Sequence, residues 1–144
     1  MVPIRILIVD DFQSWRRFVY AMLEDRPEFQ IVGEASDGLE AIRKSEELQP
    51  GPILLDIGLP KLNGIEVARR ICAIAPACRI LFVTENRCPT IAQEALNIGS
   101  CTRGYVVKSD AAHDLLPAME AVMQDRQFVS RRFAAADFGN REEA

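Results

Sequence analysis

Three short segments of this chain are apolar at nearly every position: "IRILIV" (residues 4–9), "PILLD" (52–56) and "RILFVT" (79–84). A strand with one wet face alternates apolar with polar residues, so unbroken runs of this length suit strands covered on both faces. "FQIVGEA" (29–35) and "GYVVK" (104–108) add two more segments of strand composition. The stretches between and after them carry apolar residues at helical spacing: Trp15, Phe18, Val19 and Met22 in the first, Leu39 and Ile42 in the second, Val67, Ala68 and Ile71 in the third, Ile91 and Ala95 in a short fourth, Leu115, Met119 and Val122 in the fifth. The order is (βα)5. Strict alternation with helical crossovers predicts an α/β fold, a doubly wound five-stranded parallel sheet with helices on both faces.

Composition narrows the function classes. A chain of 144 residues is about one domain, and 49% hydrophobic with 26% charged residues is the balance of a globular protein. The net charge of −4 argues against a nucleic-acid surface spread over the domain. No apolar run approaches the roughly 20 residues of a membrane helix, and the N-terminus lacks the layout of a signal peptide, so a cytoplasmic location and no membrane contact are expected. Cys72, Cys78, Cys88 and Cys101 have neither C-x-x-C spacing nor a paired histidine, and are expected as free thiols rather than zinc ligands. His113, the one histidine, is expected as an ordinary helix residue.

Ligands of open α/β sheets gather beyond the carboxyl ends of the strands. There this sequence places Asp10 and Asp11 after the first strand, Asp56 after the third, Thr84 at the end of the fourth and Lys108 after the fifth. Three carboxylates brought together repel one another unless a cation joins them. Hard oxygen ligands with room for water suit Mg²⁺. Each residue has a plainer reading. "VDD" could be a helix N-cap and its neighbour, "LPKLNG" a turn, Thr84 a strand terminus, Tyr105 core, Lys108 a solvated cation. Taken singly these compete; they leave unexplained why acid, acid, acid, hydroxyl and amine fall in order at four strand ends.

In those same positions the chain resembles a receiver domain of a two-component response regulator, through "VDD", "LLDIGLPKLNGIEV", "VTEN" and "GYVVKSD". "EASDGLEAI", "LLDIGLP" and "KSDAA" are most similar to receivers of the LuxR/NarL-type subfamily. The resemblance covers about residues 4–130 and implies a flavodoxin-like, CheY-like fold. It implies Asp56 as phosphoacceptor, Mg²⁺ held by Asp10, Asp11, Asp56 and the Gly58 carbonyl, Thr84 and Lys108 on the phosphoryl oxygens, and Thr84 with Tyr105 as the switch. The implied partner is a sensor histidine kinase or phosphotransfer protein. The implied output is an altered face of helix 4, strand 5 and helix 5 that controls a partner, a homodimer or an attached domain, the attached domain being transcriptional in members of that subfamily.

The domain is expected over residues 1–130, with 131–144 a tail or linker stub whose Arg131 and Arg132 are solvated. Only 14 residues follow Ser130, too few for a helix-turn-helix, so no nucleic-acid contact is expected from this chain alone. Two competing functions are a receiver-like docking or dimerisation domain that does not switch, and an aspartate-nucleophile phosphatase, whose D-x-D-x-[TV] pattern "DDFQS" does not match. As a receiver it is not expected to be an enzyme. Three departures from the family pattern stand out: four residues between Gly99 and Gly104, expected to lengthen that loop; Ser109 where proline is usual after the lysine; and Gly51–Pro52, expected to weaken the start of strand 3.

Overall fold

The computed structural model describes residues 2–136. Its elements alternate: β1 (Ile4–Val9), α1 (Gln13–Leu23), β2 (Phe29–Ala35), α2 (Gly38–Leu48), β3 (Pro52–Leu55), α3 (Gly64–Ile74), β4 (Arg79–Thr84), α4 (Pro89–Leu96), β5 (Thr102–Val107), a 3₁₀ turn (Lys108–Asp110) and α5 (Ala111–Met123). All strand pairs are parallel, in the order β2-β1-β3-β4-β5. The doubly wound CheY-like sheet is therefore present. The pleat divides each strand between two cores. Leu7, Val9, Ile53, Leu55 and Phe82 face α2, α3 and α4, whereas Ile6, Ile8, Leu54, Leu81 and Val83 face α1 and α5. Both faces are dry, which is why β1, β3 and β4 show no polar alternation.

Helix starts follow from local chemistry. The Asp37 carboxylate accepts from the Glu40 amide at 2.9 Å while Glu40 Oε1 accepts from the Ser36 amide at 2.8 Å, a reciprocal cap that opens α2. Asn63 Oδ1 accepts from the Ile65 and Glu66 amides and opens α3.

Four expectations change. First, a sixth strand, β6 (Phe128–Val129), pairs with β5, so β5 is not the sheet edge; a 3₁₀ segment (Arg131–Ala136) follows. Arg132 is not simply solvated but grips Asp110 at 2.8 Å, and residues 137–144 lie outside the described residues. Second, Thr102 and Arg103 are strand rather than loop, the surplus residue being absorbed by a register shift opposite Ile80 and Leu81. Third, Gly51 and Pro52 do not weaken β3: the Gly51 amide donates to Arg5 at 2.9 Å, its carbonyl accepts from Arg79 at 2.9 Å, and proline fits as first residue of the strand. Fourth, Cys72 in α3 and Cys101 before β5 form a disulfide, their Cα atoms 5.9 Å apart; only Cys78 and Cys88 are free. The partners lie 29 positions apart in sequence and meet through packing of α3 beside β4 and β5, which spacing does not reveal. Burial pushes the Cys78 thiol up to about 11, whereas the amides of Ile91 and Thr90 at the start of α4 pull the exposed Cys88 thiol down.

Candidate functional site

The carboxyl ends of β1, β3, β4 and β5 adjoin in the sheet, so the residues that follow them converge. Asp10 stays tied to the ladder through its amide, which donates to Ala35 at 3.0 Å, and its Oδ1 accepts from the Phe12 amide at 2.9 Å. The N-cap position of α1 is occupied by Phe12, with no side-chain cap, so neither aspartate serves as the cap. Asp56 is anchored by its amide to the Val9 carbonyl at 3.0 Å. Carboxylate oxygens of Asp10, Asp11 and Asp56 lie within 4.8 Å of one another, Asp10 and Asp56 buried and Asp11 exposed. A cleft of about 430 Å³ opens beside them, lined by Asp56, Gly58, Thr84, Glu85, Asn86, Lys108 and Phe12.

Charge in this site is unevenly balanced. The Lys108 ammonium sits 2.6 Å from Asp10 Oδ2 and 3.8 Å from Asp56 Oδ2, with its side chain nearly buried. Asp10 Oδ2 is buried and has no hydrogen bond of good geometry, so the ammonium is its counter-charge without being a well-aligned donor. Burial raises the Asp10 carboxyl above its ordinary value; the contact with Lys108 and the Phe12 amide oppose the rise and the neighbouring Asp56 charge adds to it. One cation facing a cluster of three carboxylates leaves net negative charge, and an all-oxygen donor set of this kind fits a hard dication such as Mg²⁺.

Sequence reasoning missed what surrounds the lysine. The Lys108 ammonium lies 5.0 Å from the ring centre of Trp15 and 5.5 Å from that of Phe12, so two aromatic faces hold it at the acidic cluster. Arg16 donates to the Asp10 carbonyl at 2.6 Å and to Glu34 at 2.6 Å, fixing α1 against this loop. The only sequence signal was the position of Trp15 and Arg16, one turn beyond Asp11 on α1.

Thr84 and Tyr105 are joined through Asn86. The Asn86 amide donates to Thr84 Oγ1 at 3.3 Å, and the Tyr105 hydroxyl donates to the Asn86 carbonyl at 3.0 Å. Tyr105 is fully buried, its ring turned into the core beside Phe82. Burial pushes its hydroxyl far above the ordinary range, so it remains a donor. His113 is exposed on α5. Among the described residues no helix is long and apolar enough to cross a membrane.

The family model described as the response regulator receiver domain matches residues 6–120. The chain belongs to the response regulator receiver family. It is 33% identical over 119 residues to the virulence factors putative positive transcription regulator BvgA of Bordetella pertussis, covering 83% of this chain and 56% of that protein. It is 31% identical to the response regulator GacA of Pseudomonas viridiflava over 91% of this chain and 60% of that one. The receiver thus spans a little over half the length of the curated relatives it matches. Among solved structures it is similar to a two-component response regulator of the LuxR family from Aurantimonas sp. SI85-9A1, with TM-score 0.87, 32% identity and 99% of both chains covered. The response regulator domain of Thermotoga maritima CheB gives TM-score 0.77 and 31% identity, over 85% of this chain and 97% of that one.

Proposed function

We propose that this receiver is a phosphoacceptor switch in which Asp56 takes a phosphoryl group from a phosphohistidine of a sensor kinase or phosphotransfer protein. The observation that carries this reading is the cluster of Asp10, Asp11 and Asp56 with the Lys108 ammonium 3.8 Å from Asp56, at the carboxyl ends of the strands. An Asp56 carboxylate oxygen attacks phosphorus, the phosphorus–nitrogen bond breaks, and the imidazole leaves with a proton as an acyl phosphate forms. Lys108 offsets charge on the transferring oxygens from a position fixed by Trp15 and Phe12. Asp10, Asp11, Asp56 and the Gly58 carbonyl would hold Mg²⁺, which supplies neutralising charge at the phosphoryl oxygens. Thr84 reports the phosphate and Tyr105 the state of the face beyond it. The chain acts as a substrate and switch in the cytoplasm rather than as a turnover enzyme, within residues 1–130, and an attached output domain would be transcriptional, as the names of its relatives suggest. Incubation with acetyl phosphate and Mg²⁺ should add the mass of one phosphoryl group, and Asp56→Asn should remove it. A mass gain that survives in that variant would refute the assignment.

The metal has its own consequence. Since burial raises the Asp10 carboxyl above its unfolded value, the native state holds that proton more tightly, and stability of the metal-free chain falls as pH rises through the window above 3.8. A dication offsets that cost only where the carboxyls are ionised. Mg²⁺ should therefore raise the melting midpoint more at neutral than at mildly acidic pH. Asp11→Ala should weaken Mg²⁺ binding by about tenfold, more than Asp10→Ala, because Asp10 already has a cation in contact. Titration followed by Trp15 fluorescence measures this, and equal affinity in wild type and both variants would exclude the pocket.

A further inference from the structure

The segment after α5 does more than end the domain. The Ser130 amide donates to the Tyr105 carbonyl at 2.9 Å, and Ser130 Oγ, itself buried, accepts from the Val107 amide at 3.0 Å. Together with the pairing of Tyr105 against Val129, these bonds hold the backbone of β5 on both sides of Val106. The chain then turns so that Phe133 enters the core on the α4 side of the sheet, 2% exposed, its ring edge-on to Tyr105 at 5.5 Å. Arg132 next to it donates to both carboxylate oxygens of Asp110, at 2.9 and 2.8 Å, and to Ser109 Oγ at 3.1 Å. One segment thus touches the residues that follow Lys108 and the aromatic ring linked through Asn86 to Thr84.

We infer that residues 128–136 form a strap that clamps Tyr105 inward, so that the state of Asp56 and the docking of this segment are coupled. The inference rests on the phosphoacceptor reading above. The physical argument is occupancy. Phe82 and Phe133 both contact the inward ring of Tyr105, and an outward ring would leave Phe133 facing a void. An undocked Phe133 would in turn remove one wall of the ring's pocket. Docking and the inward ring therefore favour each other, and a phosphoryl group that favours the inward ring by drawing on Thr84 must tighten the strap by the same factor with which the docked strap tightens phosphoryl binding. The covered edge of β5 also means that a partner on the expected helix 4, strand 5, helix 5 face meets the strap as well as the receiver.

The test uses beryllofluoride with Mg²⁺ as the phosphoryl stand-in on Asp56. In wild type it should slow hydrogen exchange at the Val107 and Ser130 amides, the two that bond across the strap. Phe133→Ala should weaken beryllofluoride binding about fivefold or more. Arg132→Ala, which leaves the core intact, should speed exchange at Ser130 and weaken binding in the same direction by less, and serves if the Phe133 variant does not fold. Binding seen by fluorine NMR that is unchanged in both variants, with strap exchange indifferent to ligand, would overturn the coupling and leave the phosphoacceptor reading standing. Absence of any Asp56-dependent binding in wild type would overturn both.

Discussion

Gly64→Ala should lower stability by about 3 kcal/mol, whereas Gly58→Ala in the same loop should leave it within about 0.5 kcal/mol of wild type. Neither glycine has a positive φ, so the contrast is one of space alone. A Cβ at Gly64 would stand 2.2 Å from the Asp56 carbonyl oxygen and 2.6 Å from the Ile57 Cα. Both obstacles are backbone, and the Gly64 amide is held to the Ile57 carbonyl at 2.7 Å, so no flexible side chain can yield. At Gly58 nothing lies within 4 Å of the added carbon. For a domain of this size the cost corresponds to a fall in melting midpoint of roughly 6 to 12 °C. The same push acts on Asp56 itself, so whatever folded Gly64→Ala remains should also accept a phosphoryl group more slowly. Thermal or urea unfolding of the two variants decides the matter, and a Gly64→Ala midpoint equal to wild type would mean that the loop is not packed as described.

That loop shows how far the residues could be read in advance. β1, β3 and β4 were legible because a doubly covered strand writes itself as an unbroken apolar run, and Asp10, Asp11, Asp56, Thr84 and Lys108 were legible because each directly follows or ends such a run. β6 was not. Two residues, Phe128 and Val129, carry no periodicity, and they become a strand only because β5 offers unpaired backbone groups beside them. Phe133 was illegible for the same reason, its burial being decided by the place where Tyr105 lies and not by its neighbours in sequence. The aromatic faces over Lys108 come from α1 and its N-cap, 93 positions away from the lysine at Trp15, and only the fold brings them together. Extra residues before Gly104 looked like a longer loop because a bulge and a loop insertion are written alike.

Reducing the Cys72–Cys101 bridge should lower the free energy of unfolding by roughly 3 to 4 kcal/mol, the chain-entropy value for a closed loop of this length. The crosslink joins positions 29 apart, so in the unfolded chain it restricts the freedom of everything from the last turn of α3 to the start of β5. The Cα separation of 5.9 Å suits a bridge without movement of the backbone. In the native state Cys101 is buried and its carbonyl accepts from the Ile80 amide at 2.6 Å, so the bridge ties α3 to the bulged end of the β4–β5 pair. Loosening should begin there, and Tyr105 lies three residues beyond Thr102 on the same strand. A dithiol reductant, or the double variant Cys72→Ser with Cys101→Ser, should therefore speed hydrogen exchange at Ile80 and Thr102 more than at β1 while lowering the urea midpoint. Alkylation of the denatured chain gives the independent check: two reactive thiols, Cys78 and Cys88, before reduction and four after it. Four reactive thiols before reduction, or a midpoint that ignores the reductant, would show that the two cysteines are not bridged in solution.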